Sequence, residues 1–167
     1  MSQQIVINSL EFARDGEILE GFLSISDLPR LHDLLASVEG QVKYRLAGSL
    51  GPNREPQLEL QAEGALMLRC QRCLEGVAHV LDVDGLLELV DEEAELSSEA
   101  LQENLEDDFR DFIPAQKDLD VVSLIEEEIL LSLPVVPRHD NCVLPDSGKA
   151  AAKDSPFAVL AGLKGKK

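Results

Sequence analysis

Apolar residues recur in this chain with two periods, and the change of period marks out its elements. In "VKYRLAGSL", Val42, Tyr44 and Leu46 alternate with Lys43 and Arg45, the two-residue period of a half-buried strand. The loop "GPNREP" follows, and then a second strand. There Leu58, Leu60, Ala62, Gly64, Leu66 and Leu68 share one parity, while Glu59, Gln61 and Glu63 share the other. Cys70 continues the apolar parity and so belongs at the inward-facing end of this strand. A third run, "AHVLDVDGLLELV", has Leu81, Val83, Leu87 and Leu89 in phase and reads as the return strand. The three predict an antiparallel meander with "CQRCLEG" at one of its turns. Upstream, "IVI" and "EILEGFLSI" offer one or two further strands.

The helical period shows twice. "DLPRLHDLLASVEG" predicts a helix with Asp27 as N-cap, Pro29 in its first turn and Gly40 as a stop signal. Leu28, Leu31, Leu34 and Leu35 form its stripe, and His32 lies just off it as a surface residue. "DLDVVSLIEEEILLSLP" is the clearest helix. Asp118 or Asp120 can cap it, Pro134 ends it, and Val122, Ile125, Ile129 and Leu133 line one face. Glu126, Glu127 and Glu128 are expected to face water or flank that face. The fold class is therefore α+β: an antiparallel β-meander or partly closed barrel packed with two main helices.

Two stretches lack such periods. From Glu88 to Asp111 the chain is sharply acidic, with Arg110 its one basic residue, and reads as a solvated loop or weak helix. After "RHDNC", the stretch "VLPDSGKAAAKD" reads as a linker to "SPFAVLAGLKGKK". There Ser155 suits an N-cap, Pro156 the first helical position, and Phe157, Leu160 and Leu163 one apolar edge. The expected organisation is a single domain over 1–144, with an acidic loop at about 88–117. Residues 145–167 then form a flexible linker and short amphipathic segment. Phe157, Leu160, Leu163 and Lys164 are candidates for docking on a partner, with packing back on the domain or fraying as the alternatives.

Composition sharpens this in two ways. The 167 residues include five Phe, one Tyr and no Trp, so Leu and Val must supply most of the core. The formal net charge is −17, which repels phosphate backbones and attracts basic partners. The N-terminal stretch "MSQQIVINSLEF" lacks the basic and apolar regions of a signal peptide, and "ILLSLPVV" is too short to span a bilayer. Three cysteines make an odd count that does not suggest a disulfide framework. A soluble cytoplasmic protein with no membrane partner is expected.

The chemistry concentrates in "LMLRCQRCLEG". A lone CxxC is a weak signal, but "RHDNC" supplies a second pair at ligand spacing. Cys70, Cys73, His139 and Cys142 would make a Cys3His set of soft thiolates and one imidazole, suited to zinc. Nothing in the sequence brings the two pairs together, so free structural thiols stay open as the other reading. Redox chemistry is disfavoured: Arg72 favours thiolate, but the flanks read as a hairpin where a redox motif would open a helix. No nucleophile or phosphate loop accompanies the carboxylates, and no catalytic residue is assigned.

"CQRC" after a strand, then "DLDVVSLIEEEILLSLPVVPRHDNC", then "SPFAVLAGLK", in that order, resemble the YceD family of large ribosomal RNA subunit accumulation proteins. The resemblance covers nearly the whole chain. It implies a non-enzymatic part in the synthesis, processing or stability of 23S ribosomal RNA, with zinc as the one candidate cofactor. Cys70 and Cys73 match the family's CxxC; His139 and Cys142 stand where many relatives carry further cysteines. Two mechanisms fit this role. In one, the protein touches 23S RNA, its precursor or an assembling particle, through Arg69, Arg72, Lys43 and Arg45, with Lys164, Lys166 and Lys167 as a second contact. In the other, its acidic surface holds a basic ribosomal protein and the RNA follows indirectly.

Overall fold

The computed structural model describes residues 4–90 and 111–145. In chain order these form β1 (Val6–Ile7), α1 (Ser9–Asp15), β2 (Ile18–Ser24), β3 (Leu35–Ser37), β4 (Gln41–Leu50), β5 (Pro56–Arg69), β6 (Gly76–Val90), β7 (Asp111–Pro114), β8 (Leu119–Asp120) and α2 (Val121–Ser132). The acidic run is strand at both described ends, in β6 and β7; residues 91–110 lie outside the described residues. So do the linker and the segment holding Phe157, Leu160, Leu163 and Lys164.

The alternating runs become a twisted meander. β2, β4, β5 and β6 follow one another antiparallel, and β7 joins β6 in parallel. A parallel pair needs a crossover of about a dozen residues or more, and the stretch between Val90 and Asp111 is long enough. β3 takes up the edge of β5 where β4 leaves it, with Leu35 opposite Leu68. β1 and β8 form a separate two-stranded ladder. Among the described residues the sheet is open, and the barrel alternative does not form. Register puts the leucines of β4, β5 and β6 on one face. There Val42, Leu46, Leu58, Leu60 and Leu87 are fully buried and pack with α1, α2 and the turns that precede β3.

The helix expected at Asp27 does not form. Two 3₁₀ turns stand there, Ile25–Asp27 and Pro29–Leu34, and the chain then enters β3. Leu28 and Leu31 are fully buried, a three-residue spacing that suits 3₁₀ geometry. Leu34 points to solvent, whereas Leu35 is taken into the sheet. Strand pairing with β5 has overridden local helix propensity. The second helix is instead α1, announced by Asn8, whose Oδ1 accepts from Glu11 N–H at 3.4 Å, and by Gly16 at φ 64°.

α2 starts at Asp120, whose Oδ1 accepts from Val122 and Ser123 N–H at 3.0 and 3.3 Å. It buries Val121, Leu124, Ile125 and Ile129, and with them Glu126. The burial of Glu126 departs from the sequence expectation and has a local cause. Its Oε1 accepts from Arg30 N–H at 2.7 Å, at the start of a 3₁₀ turn that has no side-chain cap of its own. Helix starts leave such donors unpaired, so α2 supplies the missing cap. Glu126→Ala is expected to lower unfolding free energy in urea by about 2 kcal/mol, and Glu126→Gln, which keeps the acceptor, by less. Equal stability of Glu126→Ala and the unaltered chain would remove the capping role.

Among the described residues no helix is long and apolar enough to cross a membrane.

Candidate metal centre

The site grows from the end of β5. Leu66 and Leu68 face inward, and Cys70, next in that parity, is fully buried just past the strand. The chain then turns through Gln71–Glu75 into β6. Cys70 N–H donates to Glu75 O at 2.8 Å, and Leu74 N–H to Cys70 O at 2.9 Å. Closing this tight turn puts Leu74 at φ 67°, in the left-handed region that β-carbons disfavour. Leu74→Gly should therefore raise stability, by about 0.5 kcal/mol once glycine's greater unfolded-state entropy is subtracted. A thermal melt measures it, and a lowered Tm would show that the leucine side chain matters more than the strain.

The other half arrives from α2. Pro134 stops the helix and Leu133–Pro137 runs alongside the turn. Gln71 braces it twice, N–H to Pro137 O at 2.9 Å and Nε2 to Val135 O at 3.1 Å. Arg72 Nη1 donates to Cys142 O at 3.3 Å. These bonds help place His139 and Cys142 over the thiols. Gln71 is a positioning residue that sequence reading missed; its place between the two cysteines was the only signal.

The four candidate ligands converge. Cys70, Cys73, His139 and Cys142 each offer one donor atom, and all four atoms lie within 4.8 Å of one another. A tetrahedral zinc with Zn–S near 2.3 Å and Zn–N near 2.05 Å requires donor separations of about 3.8 Å between sulfurs and about 3.6 Å between sulfur and nitrogen. Cys70 Sγ and Cys142 Sγ are 3.8 Å apart, and Cys73 Sγ is 3.4 Å from His139 Nδ1. His139 Nε2 lies 3.0 Å from Gly76 O. That contact places the ring proton on Nε2 and leaves the Nδ1 lone pair for the metal. The residues fit the ion. An ion held by all four donors has no vacant position for water or substrate, the mark of a structural site.

The electrostatics favour thiolate at Cys70 and the protonated forms at His139 and Cys142. The Cys73 backbone N–H directed at Cys70 outweighs burial, and the Arg72 N–H, 3.4 Å from its sulfur, adds to it; the Cys70 thiol is pulled down to about 5. His139 is raised, chiefly by its hydrogen bond to Cys70 and then by the Gly76 carbonyl. Cys142 is raised, first by burial and then by the neighbouring sulfurs.

The basic residues named as RNA contacts are not gathered. Arg69 Nη2 donates to Leu35 O at 3.3 Å, Arg72 is tied to Cys142, and Arg45 Nε pairs with Glu20 at 3.0 Å. Lys43 is exposed on β4 opposite Glu63, six residues before Arg69 on β5 and hence about 20 Å away along the strand.

The family described as "Large ribosomal RNA subunit accumulation protein YceD" matches residues 58–164 of the chain, a span that includes all four cluster residues. A protein of the same description from Haemophilus influenzae is 28% identical over 161 residues, covering 87% of each chain. No solved structure matches.

Proposed function

The chain belongs to the YceD family, and from that premise we propose that it is a non-enzymatic biogenesis factor of the large ribosomal subunit. It supports the synthesis, processing or stability of 23S ribosomal RNA in the cytoplasm. Zinc on Cys70, Cys73, His139 and Cys142 locks the β5–β6 turn to the segment after α2. The observation that carries this reading is the family match over 58–164, which runs from the start of β5 through α2 and the whole Cys3His cluster. When bound, the ion supplies a cross-link and no chemistry; the chain's own residues present a surface.

A second reading concerns the route to the RNA, and a specific observation favours it. Three of the four candidate RNA contacts, Arg45, Arg69 and Arg72, already have an intramolecular hydrogen-bond partner at the surface, against a net charge of −17. Phosphate recognition needs free cations. The acidic chain then holds a basic ribosomal protein, and RNA accumulation follows. Deleting the gene is expected to lower the ratio of 23S to 16S RNA, with recovery on reintroducing the chain. An unchanged ratio would reject the role.

A further inference from the structure

The sheet has a second face, which is open to solvent along β5 and β6 between Val80 and Leu86, while Ala47 and Gln57 toward its far edge are buried. Register reads it row by row. Phe22, Lys43, Glu63 and Asp82 stand side by side across β2, β4, β5 and β6. The next row is Glu20, Arg45, Gln61 and Asp84, and beyond it lie Glu59 and Leu86; on the other side Ala65 is opposite Val80 and Met67 opposite Ala78. Two cations lie on β4, where Arg45 is paired with Glu20, and a third, Arg69, stands at the end of β5 beyond Met67, where it donates to Leu35 O. Across β5 and β6 the face is therefore acidic at its centre, with Glu59, Glu63, Asp82 and Asp84, and apolar at both ends. Val80 is 79% exposed at one end and Leu86 42% at the other, with Phe22 at 67% on the flank.

Two features of this pattern run against stability. Glu63 and Asp82 are directly opposite, a like-charge pair that destabilises a sheet. Neither they nor Glu59 and Asp84 have an ion-pair partner among the described residues. Exposed apolar side chains flank acidic residues that lack ion-pair partners, on a regularly registered surface about 20 Å long between Val80 and Leu86. A partner that brings positive charge to the centre and apolar groups to the ends relieves both.

We propose that the solvent face of β5 and β6 is a docking surface for a lysine- and arginine-rich protein segment that also carries apolar side chains. The inference rests on the reading above, of which it names the surface and the partner chemistry. Complementary charge steers such a segment to the acidic centre, and Val80, Met67 and Leu86 give it apolar contacts. RNA is the disfavoured occupant, because its phosphates meet four carboxylates with Lys43, opposite Glu63, as the one neighbouring cation without an ion-pair partner among the described residues.

The test uses the full-length, metal-loaded chain with a photoreactive benzoylphenylalanine in place of Gln61. It is mixed with the proteins extracted from purified large ribosomal subunits and, separately, with 23S ribosomal RNA. A covalent adduct with a basic protein, identified by mass spectrometry, is expected. Glu63→Lys combined with Asp82→Lys should cut its yield about tenfold. The same charge change at Glu11 and Asp15 on α1 should leave the yield intact. An adduct with RNA alone, no adduct in either mixture, or equal loss from both pairs of substitutions would overturn the surface. Circular dichroism checks that both variants fold. Restoration of 23S RNA in a deletion strain by E63K/D82K, as fully as by the unaltered chain, would also overturn the surface while leaving the family role standing. A deletion strain with normal 23S RNA would overturn that role instead.

Discussion

Replacing Cys70 and Cys73 together with serine is expected to abolish metal content, from one zinc per chain to none, and to lower unfolding free energy by about 4 kcal/mol. The magnitude follows from the size of the loop. Cys73 and His139 are 66 positions apart in sequence, and tethering ends that far apart removes about 4 kcal/mol of chain entropy from the unfolded state if the ion acts as a cross-link. Against a typical total of about 5–15 kcal/mol this is a large share. The variant is expected to stay folded, because the sheet and helix core lies outside the site and Gln71 and Arg72 keep their hydrogen bonds to the segment after α2. Metal analysis and urea denaturation, with and without a chelator, check the two halves separately. Unaltered protein that purifies without metal under reducing conditions, and gains no stability from added zinc, would reject the site.

Gly48→Ala is expected to destabilise by about 3 kcal/mol, the second large effect. Gly48 lies on the inward face of β4 under α1, and a β-carbon there would overlap the Phe12 carbonyl and come within 2.7 Å of Ala13 Cα. These are backbone atoms and cannot rotate away. Gly48 N–H also donates at 2.8 Å to the carbonyl of Glu17, two residues past the end of α1, which ties the exit of the helix to β4. Gly85→Ala is the control: its β-carbon would meet only the mobile carboxylate of Glu128, at 3.5 Å, and little change is expected. Urea denaturation of both variants decides it, and equal stabilities would show that α1 yields without cost.

What the sequence made legible was what period alone specifies. The parity of β4, β5 and β6, the hairpin at "CQRC" and the inward placement of Cys70 all follow from alternation, which leaves little freedom once one face is buried. The α2 cap was readable to within two residues, as Asp118 or Asp120, and the structure selects Asp120. The failures were of another kind. Leu28, Leu31, Leu34 and Leu35 fit a helix until β5 competes for Leu35, and that competition is settled across the sheet. Glu126 looked solvent-facing because its partner, Arg30 N–H, is 96 positions away. The convergence of "CQRC" with "RHDNC" depends on where α2 stops and which way Leu133–Pro137 then runs. Residue types could nominate the four ligands, but only the tertiary path brings them together.

The order of the ligands along the chain has a bearing on how the protein matures. During synthesis from the N-terminus, Cys70 and Cys73 are made long before His139 and Cys142, so a growing chain carries half a coordination shell. A two-thiol half-site holds an ion weakly and leaves its sulfurs open to oxidants. The complete shell becomes available only after α2 has been made and has docked. If zinc occupies the cluster as proposed, its capture is a late step, and zinc supply at that moment would set the fraction of chains that reach the clasped form.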